Sequence, residues 1–164
     1  MGEGYSYTCK KCKHEYSVLL GSGMMYTNVY RRILDDISRG KYGSELQELY
    51  NSIAYAAVDG ERVVYICNGC CSWELGTDVS LYAPNDPDSI PQKQFGIKTV
   101  AEWGYVPYVM RRDLEENYHL VKRQYHHCSK CGKRMHKASS KELKALPCPE
   151  CGSENRFEGI LYWD

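Results

Sequence analysis

Phenylalanine is nearly absent from this chain, and so are long apolar runs and any excess of one charge. Two phenylalanines stand against fifteen tyrosines in 164 residues. The aromatic load therefore falls on a ring that can be buried while its hydroxyl stays wet, which suits a thin core. No apolar stretch approaches the ~18–20 residues that span a bilayer, so no membrane segment is expected. Residues 1–20 lack the hydrophobic run of a signal peptide, and a cytoplasmic location is the expectation. Lys plus Arg and Asp plus Glu both number 21, which speaks against a globally basic nucleic-acid binder. No nucleophile, base and orienting acid fall into a catalytic pattern. His126-His127 and Glu115-Glu116 are sequence neighbours, which in a strand face opposite ways. Neither an enzyme nor a small-molecule substrate is indicated.

Cysteine is what the chain has in quantity, nine in all. Eight form Cys-x-x-Cys pairs: Cys9 with Cys12, Cys67 with Cys70, Cys128 with Cys131, and Cys148 with Cys151. The last two pairs are sixteen residues apart, a spacing that points to tetrahedral zinc, with a disulfide as the lesser alternative. Gly132 and Gly152 directly follow the second cysteine of their pairs, where the chain often needs a positive φ. The first two pairs are separated by fifty-four residues. Sequential pairing of the four motifs, first with second and third with fourth, is preferred because consecutive elements tend to lie adjacent. The crossed pairing is the alternative. Two zinc ions are expected, one per four-cysteine site, with iron as the rival metal. Cys71 is left over, where glycine would be usual. It reads as a spare thiol, as a substitute for Cys70, or as a redox-sensing thiol. His14 is a less favoured substitute ligand.

These motifs resemble the knuckles of rubredoxin-type zinc ribbons, over roughly residues 118–164 for the C-terminal pair. The whole chain is also similar to small bacterial zinc-ribbon proteins that open with a Tyr-x-Cys-x-x-Cys knuckle and a glycine-rich turn, here Tyr7, Cys9, Cys12, Gly21 and Gly23. That resemblance implies metal binding without a reaction.

The expected fold is α+β, two small zinc-ribbon β modules with a helical hairpin inserted in the first. Residues 1–83 would form the N-terminal ribbon, with the hairpin at about 24–58. Residues 84–98 would be a Pro/Asp-rich connector, and 99–164 the C-terminal ribbon. Tyr5-Ser6-Tyr7-Thr8 and the run from His14 to Leu20 read as a strand pair, and Gly21-Ser22-Gly23 as a linker. Val29, Ile33 and Ile37 recur at helical spacing, with Tyr26, Tyr30 and Leu34 on the adjoining stripe. Ser44 and Gln47 fit a capping box for a second helix. Arg62–Ile66, Trp73–Leu75, Val79–Tyr82 and Tyr118–His127 read as strands. Trp103 to Val109 reads as an irregular strand broken by Pro107, and Arg111–Glu116 as a charged turn or short helix.

Charge is unevenly distributed. Between Tyr118 and Lys144 eight Lys and Arg residues face one Glu, a local balance of +7. Lys122, Arg123, Lys130, Lys133, Arg134 and Lys137, with Tyr118 and Tyr125 nearby, form the candidate contact set for nucleic-acid phosphates and stacked bases. Compensation of thiolate charge is the plainer reading of the same lysines. The expected function is a non-catalytic adaptor that contacts nucleic acid. The alternatives are a protein-binding module using the tyrosine-rich hairpin and a thiol sensor using Cys71.

Overall fold

The computed structural model describes residues 2–23, 26–154 and 156–163. In chain order the elements are β1 (Gly2–Cys9), β2 (Glu15–Leu20), α1 (Tyr26–Ser38), α2 (Ser44–Ser52), β3 (Ala57–Val58), β4 (Arg62–Cys67), β5 (Trp73–Thr77) and β6 (Leu81–Pro84). A 3-10 turn at Ile90–Gln92 is followed by β7 (Gln94–Phe95), β8 (Lys98–Thr99), α3 (Val100–Trp103), α4 (Arg111–Asn117), β9 (Tyr118–Lys122), β10 (Met135–Lys137), α5 (Ser140–Lys144) and β11 (Arg156–Trp163). They group into two interleaved units. The first comprises Met1–Met24, Glu61–Thr77 and Tyr125–Asp164, and the second Met25–Gly60 and Asp78–Gln124.

In the first unit, β1 is the centre of an antiparallel sheet ordered β11-β1-β2. Its register with β11 runs unbroken from Gly2 opposite Trp163 to Cys9 opposite Arg156. A second antiparallel sheet is ordered β10-β4-β5. Gly21 and Arg62 join the two sheets by exchanging backbone hydrogen bonds of 2.9 and 3.0 Å. The alternation in β1 turns Tyr7 inward, where it packs with Val18, Val64 and Leu146. Another cluster joins Tyr65, Cys67, Cys128 and Met135.

The second unit has a conventional core. Helix α1 buries Tyr30, Ile33, Leu34 and Ile37, the one-sided spacing of an amphipathic helix. With Leu46 of α2 and Ala56, Val58, Val79 and Leu81 they form one cluster. At about 1.5–3 kcal/mol per buried large side chain, this burial is what holds the helices. Tyr30 is wholly buried, and its hydroxyl accepts the Val58 N–H at 3.0 Å. A sheet ordered β3-β6-β9 carries a second cluster of Ala57, Ile90, Val100, Val106, Val109, Leu114 and Tyr118. Helix α3 starts with a full capping box between Thr99 and Glu102 and stops at Gly104, in the left-handed region at φ 75°.

Several expectations give way here. The mixed α and β content is present, but the division at 1–83, 84–98 and 99–164 is not how the chain separates. Helices α1 and α2 pack within the second unit and are no insert to a ribbon built from the first two motifs. The expected connector holds Ile90, which is 2% exposed and part of a core. Its prolines read as a linker, but Pro91 sits in the 3-10 turn that turns Ile90 inward. The stretch from Trp103 to Val109 forms no strand; α3 ends at Trp103 and α4 begins at Arg111. Strand β9 pairs with β6 and stops at Lys122, short of the third knuckle. Gly43 is the N-cap of α2, with no side-chain cap. Gln47 instead donates its side-chain amide to the Ser38 carbonyl at 2.8 Å, a tie between the two helices.

Tyr30→Phe should leave the buried Val58 N–H without its acceptor. The expected cost is about 1–3 kcal/mol, read as a lower urea midpoint with an unchanged slope.

Candidate metal centres

All four Cys-x-x-Cys motifs fold into the same tight turn. The first cysteine's carbonyl accepts the N–H four residues on, and its own N–H donates to the carbonyl five residues on. The first bond links Cys9 to Lys13 at 2.9 Å, Cys67 to Cys71 at 3.2 Å, Cys128 to Gly132 at 2.8 Å and Cys148 to Gly152 at 2.9 Å. The second links them to His14, Ser72, Lys133 and Ser153 at 2.8–2.9 Å. The fifth residue of the turn must adopt the left-handed conformation. It is Gly132 at φ 71° and Gly152 at φ 70° in two turns, but Lys13 at φ 62° and Cys71 at φ 57° in the others. Cys71 is thus the corner of the second turn, which explains why a ninth cysteine is adjacent to a motif without joining a cluster.

Sulfur converges twice. Cys9, Cys12, Cys148 and Cys151 form one group and Cys67, Cys70, Cys128 and Cys131 the other, each with its sulfurs within 4.8 Å of one another. The pairing is therefore crossed, first turn with fourth and second with third, and the preferred sequential pairing is corrected. The strands decide it. β1 delivers Cys9 alongside β11, and β4 delivers Cys67 opposite Met135 of β10. Adjacency in sequence gives way because long segments between the motifs fold into a unit of their own. Cys70, not Cys71, belongs to the second group.

The contacts Cys9–Cys151 and Cys12–Cys148 are 3.6 Å, Cys67–Cys131 is 3.4 Å and Cys70–Cys128 is 3.6 Å. A disulfide needs about 2.05 Å. A tetrahedron with metal–sulfur bonds of about 2.3 Å has edges of about 3.8 Å. The sulfurs therefore stand where a four-thiolate site puts them, and both groups could hold a metal ion. The turns also feed amides to sulfur: Gly69 and Cys70 donate to Cys67 Sγ at 3.3 and 3.5 Å. The Cys12 N–H, opposed by burial and helped by the Lys11 N–H, brings the Cys9 thiol down to about 6. Cys12 moves the other way, to about 12; the His14 N–H pulls it down, but burial and the neighbouring thiols outweigh that. Without a cation, four sulfurs this close cannot all ionise.

Sequence inspection missed the supports of the second group. Ser72 Oγ lies 3.0 Å from Cys70 Sγ and 3.3 Å from Cys128 Sγ, and its hydroxyl is the leading cause of the lowered thiol of Cys70, at about 6, and of the lowered Cys128. Glu74 accepts from the Ser129 N–H at 2.9 Å and its hydroxyl at 2.7 Å, and stands 3.0 Å from His126 Nε2. Beside the first group, Arg156 donates to the carbonyls of Leu146 and Lys144 and lies 4.6 Å over the Tyr7 ring. Trp73 Nε1 donates to the Pro147 carbonyl at 2.8 Å. A serine or glutamate beside a motif carries no spacing signal, so none could have been read in advance.

The candidate basic set divides. Lys130, Lys133, Arg134 and Lys137 are exposed in the first unit, on or just after the third turn. Lys122 and Arg123 belong to the second unit, where Lys122 is ion-paired with Glu45 at 2.7 Å. Arg134 stacks 3.2 Å over the Tyr125 ring. The Lys133 stem lies against Gly69, so close that a Cβ there would meet its Cδ at 2.3 Å. His14 stands outside both sulfur groups and stacks on Tyr16 at 5.9 Å. Among the described residues no helix is long and apolar enough to cross a membrane. No protein-family model, curated protein or solved structure matches the chain.

Two outcomes follow from this geometry. Cys148→Ser should expose Cys9, Cys12 and Cys151 to alkylation while Cys67, Cys70, Cys128 and Cys131 stay protected; reactive Cys128 and Cys131 instead would restore the sequential pairing. Lys13→Gly and Cys71→Gly should each leave metal content unchanged and stabilise by about 0.5–1 kcal/mol, because glycine relieves a left-handed corner.

Proposed function

We propose that the protein is a zinc-stabilised, non-catalytic binding protein that contacts nucleic-acid phosphates through the rim of its third knuckle. Four cysteines per group close a tetrahedral shell and leave no open position for a reactive water, and thiolate donors suit zinc. A reducing compartment such as the cytoplasm keeps those thiols available. Two four-thiolate zinc sites would add about −4 to the chain's charge. That makes cations held at the surface near the second group worth explaining.

The observation that carries the reading is that Lys130, Lys133, Arg134 and Lys137, four basic residues in an eight-residue span, are all exposed around one rigid turn. Arg134, stacked on Tyr125, presents its donor edge with less conformational freedom to lose than a free side chain. The reading rests on these four residues of the first unit; Lys122 and Arg123 belong to the second. The rival reading, a protein-binding face on the tyrosine-rich helices, loses Tyr30, which is 0% exposed and hydrogen-bonded inside a core.

Reversing Lys130, Lys133 and Lys137 to Glu should abolish binding to a short duplex, whose paired bases are not free to stack elsewhere on the protein. In wild type, log affinity should fall with log salt by about 0.7–0.9 per phosphate contact. Equal binding by the metal-loaded triple variant would remove this face from consideration.

A further inference from the structure

The second unit has a cavity of about 540 Å³ whose lining includes the rings of Phe95, Trp103, Tyr105 and Tyr108. That volume lies within the range of small-ligand sites, and mostly apolar walls with few polar groups are their usual make-up. Its polar wall comes from the start of α1: Thr27, Asn28 and Arg31. Arg31 is the single charged residue in the lining, and no carboxylate is among the lining residues. Among the described residues its ion-pair contact is loose, 4.0 Å to a half-exposed Asp35. Arg31 is held by stacking, with its guanidinium 4.5 Å from the Tyr105 ring centre. A stacked guanidinium keeps its planar fork in a fixed direction, which favours an oxyanion such as phosphate.

Trp103 is the most exposed of the four rings, at 38%. It is nonetheless fixed: α3 is short and capped at both ends, and Nε1 donates to the Phe95 carbonyl at 3.2 Å. Lys98 Nζ stands 5.4 Å over the Trp103 ring. An exposed, anchored indole beside two cations and no acid in the lining is a platform for a flat, anionic ligand.

We propose that this cavity binds a nucleotide unit, with the base stacked on Trp103 and the phosphate held by Arg31. The same chemistry is offered by a free mononucleotide and by one residue of a single strand. The site lies in the second unit, and it stands or falls independently of the basic knuckle rim.

The test is calorimetric titration of the full-length, metal-loaded protein with adenosine 5′-monophosphate, adenosine, and a ten-residue deoxyadenylate strand. The monophosphate should bind at least tenfold more tightly than adenosine. Arg31→Ala should reduce it to the level of adenosine, and Arg31→Lys should recover part of the loss. Trp103→Ala should weaken both nucleoside and nucleotide by at least tenfold, and Trp103→Phe should retain binding. A strand much tighter than the monophosphate assigns the site to nucleic acid, and equal affinity assigns it to free nucleotide. Both results support the site. Strand affinity should survive in the Lys130, Lys133 and Lys137 triple variant and be lost when Trp103→Ala is added to it, which separates this site from the knuckle rim. No binding of monophosphate and strand at millimolar concentration, or binding unchanged in folded Arg31→Ala or Trp103→Ala, overturns it.

Discussion

Four sulfurs held within 4.8 Å of each other repel as thiolates and pack weakly as thiols. A bound cation would resolve that conflict, and the first unit gathers sulfur in this way twice. Its clusters of buried apolar residues are small, four residues each. Two of the four in the second of these are cysteines from the metal group itself. Core and metal site are therefore one structure there, and the sulfur pairing dictates the strand order. Because the outer knuckles pair with each other and the inner ones do likewise, the two sheets are nested in sequence.

The second unit rests on different physics. Its helices, strands and turns bury nine residues in one cluster and seven in another, with no metal group among its described residues. Structural zinc in model peptides is worth roughly 10–16 kcal/mol, comparable to the whole stability of an ordinary domain. The two units should accordingly respond to chelation very differently, although the chain passes between them four times.

What the sequence made legible was local. Cysteine spacing marked all eight converging sulfurs, because a knuckle is a five-residue object whose geometry depends on nothing distant. Alternation in Tyr5–Thr8 and the helical spacing of Tyr30, Ile33, Leu34 and Ile37 were equally readable, although Val29, on the same recurrence, is exposed. Partner choice was not. Whether Cys12 meets Cys70 or Cys148 depends on β11, and the run Arg156–Trp163 carries no mark of pairing with β1. Ile90 was hidden for a related reason, since prolines around it suggest exposure while only the packed unit shows that it turns inward. The basic run was visible as composition, yet a count along the chain cannot show that Lys122 and Arg134 fall in different units.

The full-length pairing of β1 with β11 has a consequence for how the protein comes into being. Cys12 and its partner Cys148 are 136 residues apart, and at ribosomal rates of about 5–20 residues per second the wait between them is on the order of ten seconds. During that interval the nascent first knuckle carries two thiols with no complementary pair. The second and third knuckles can meet earlier, so the inner sulfur group can assemble first and bring the later strands into register. Assembly from the inside outward would make the first-made part of the chain the last to settle.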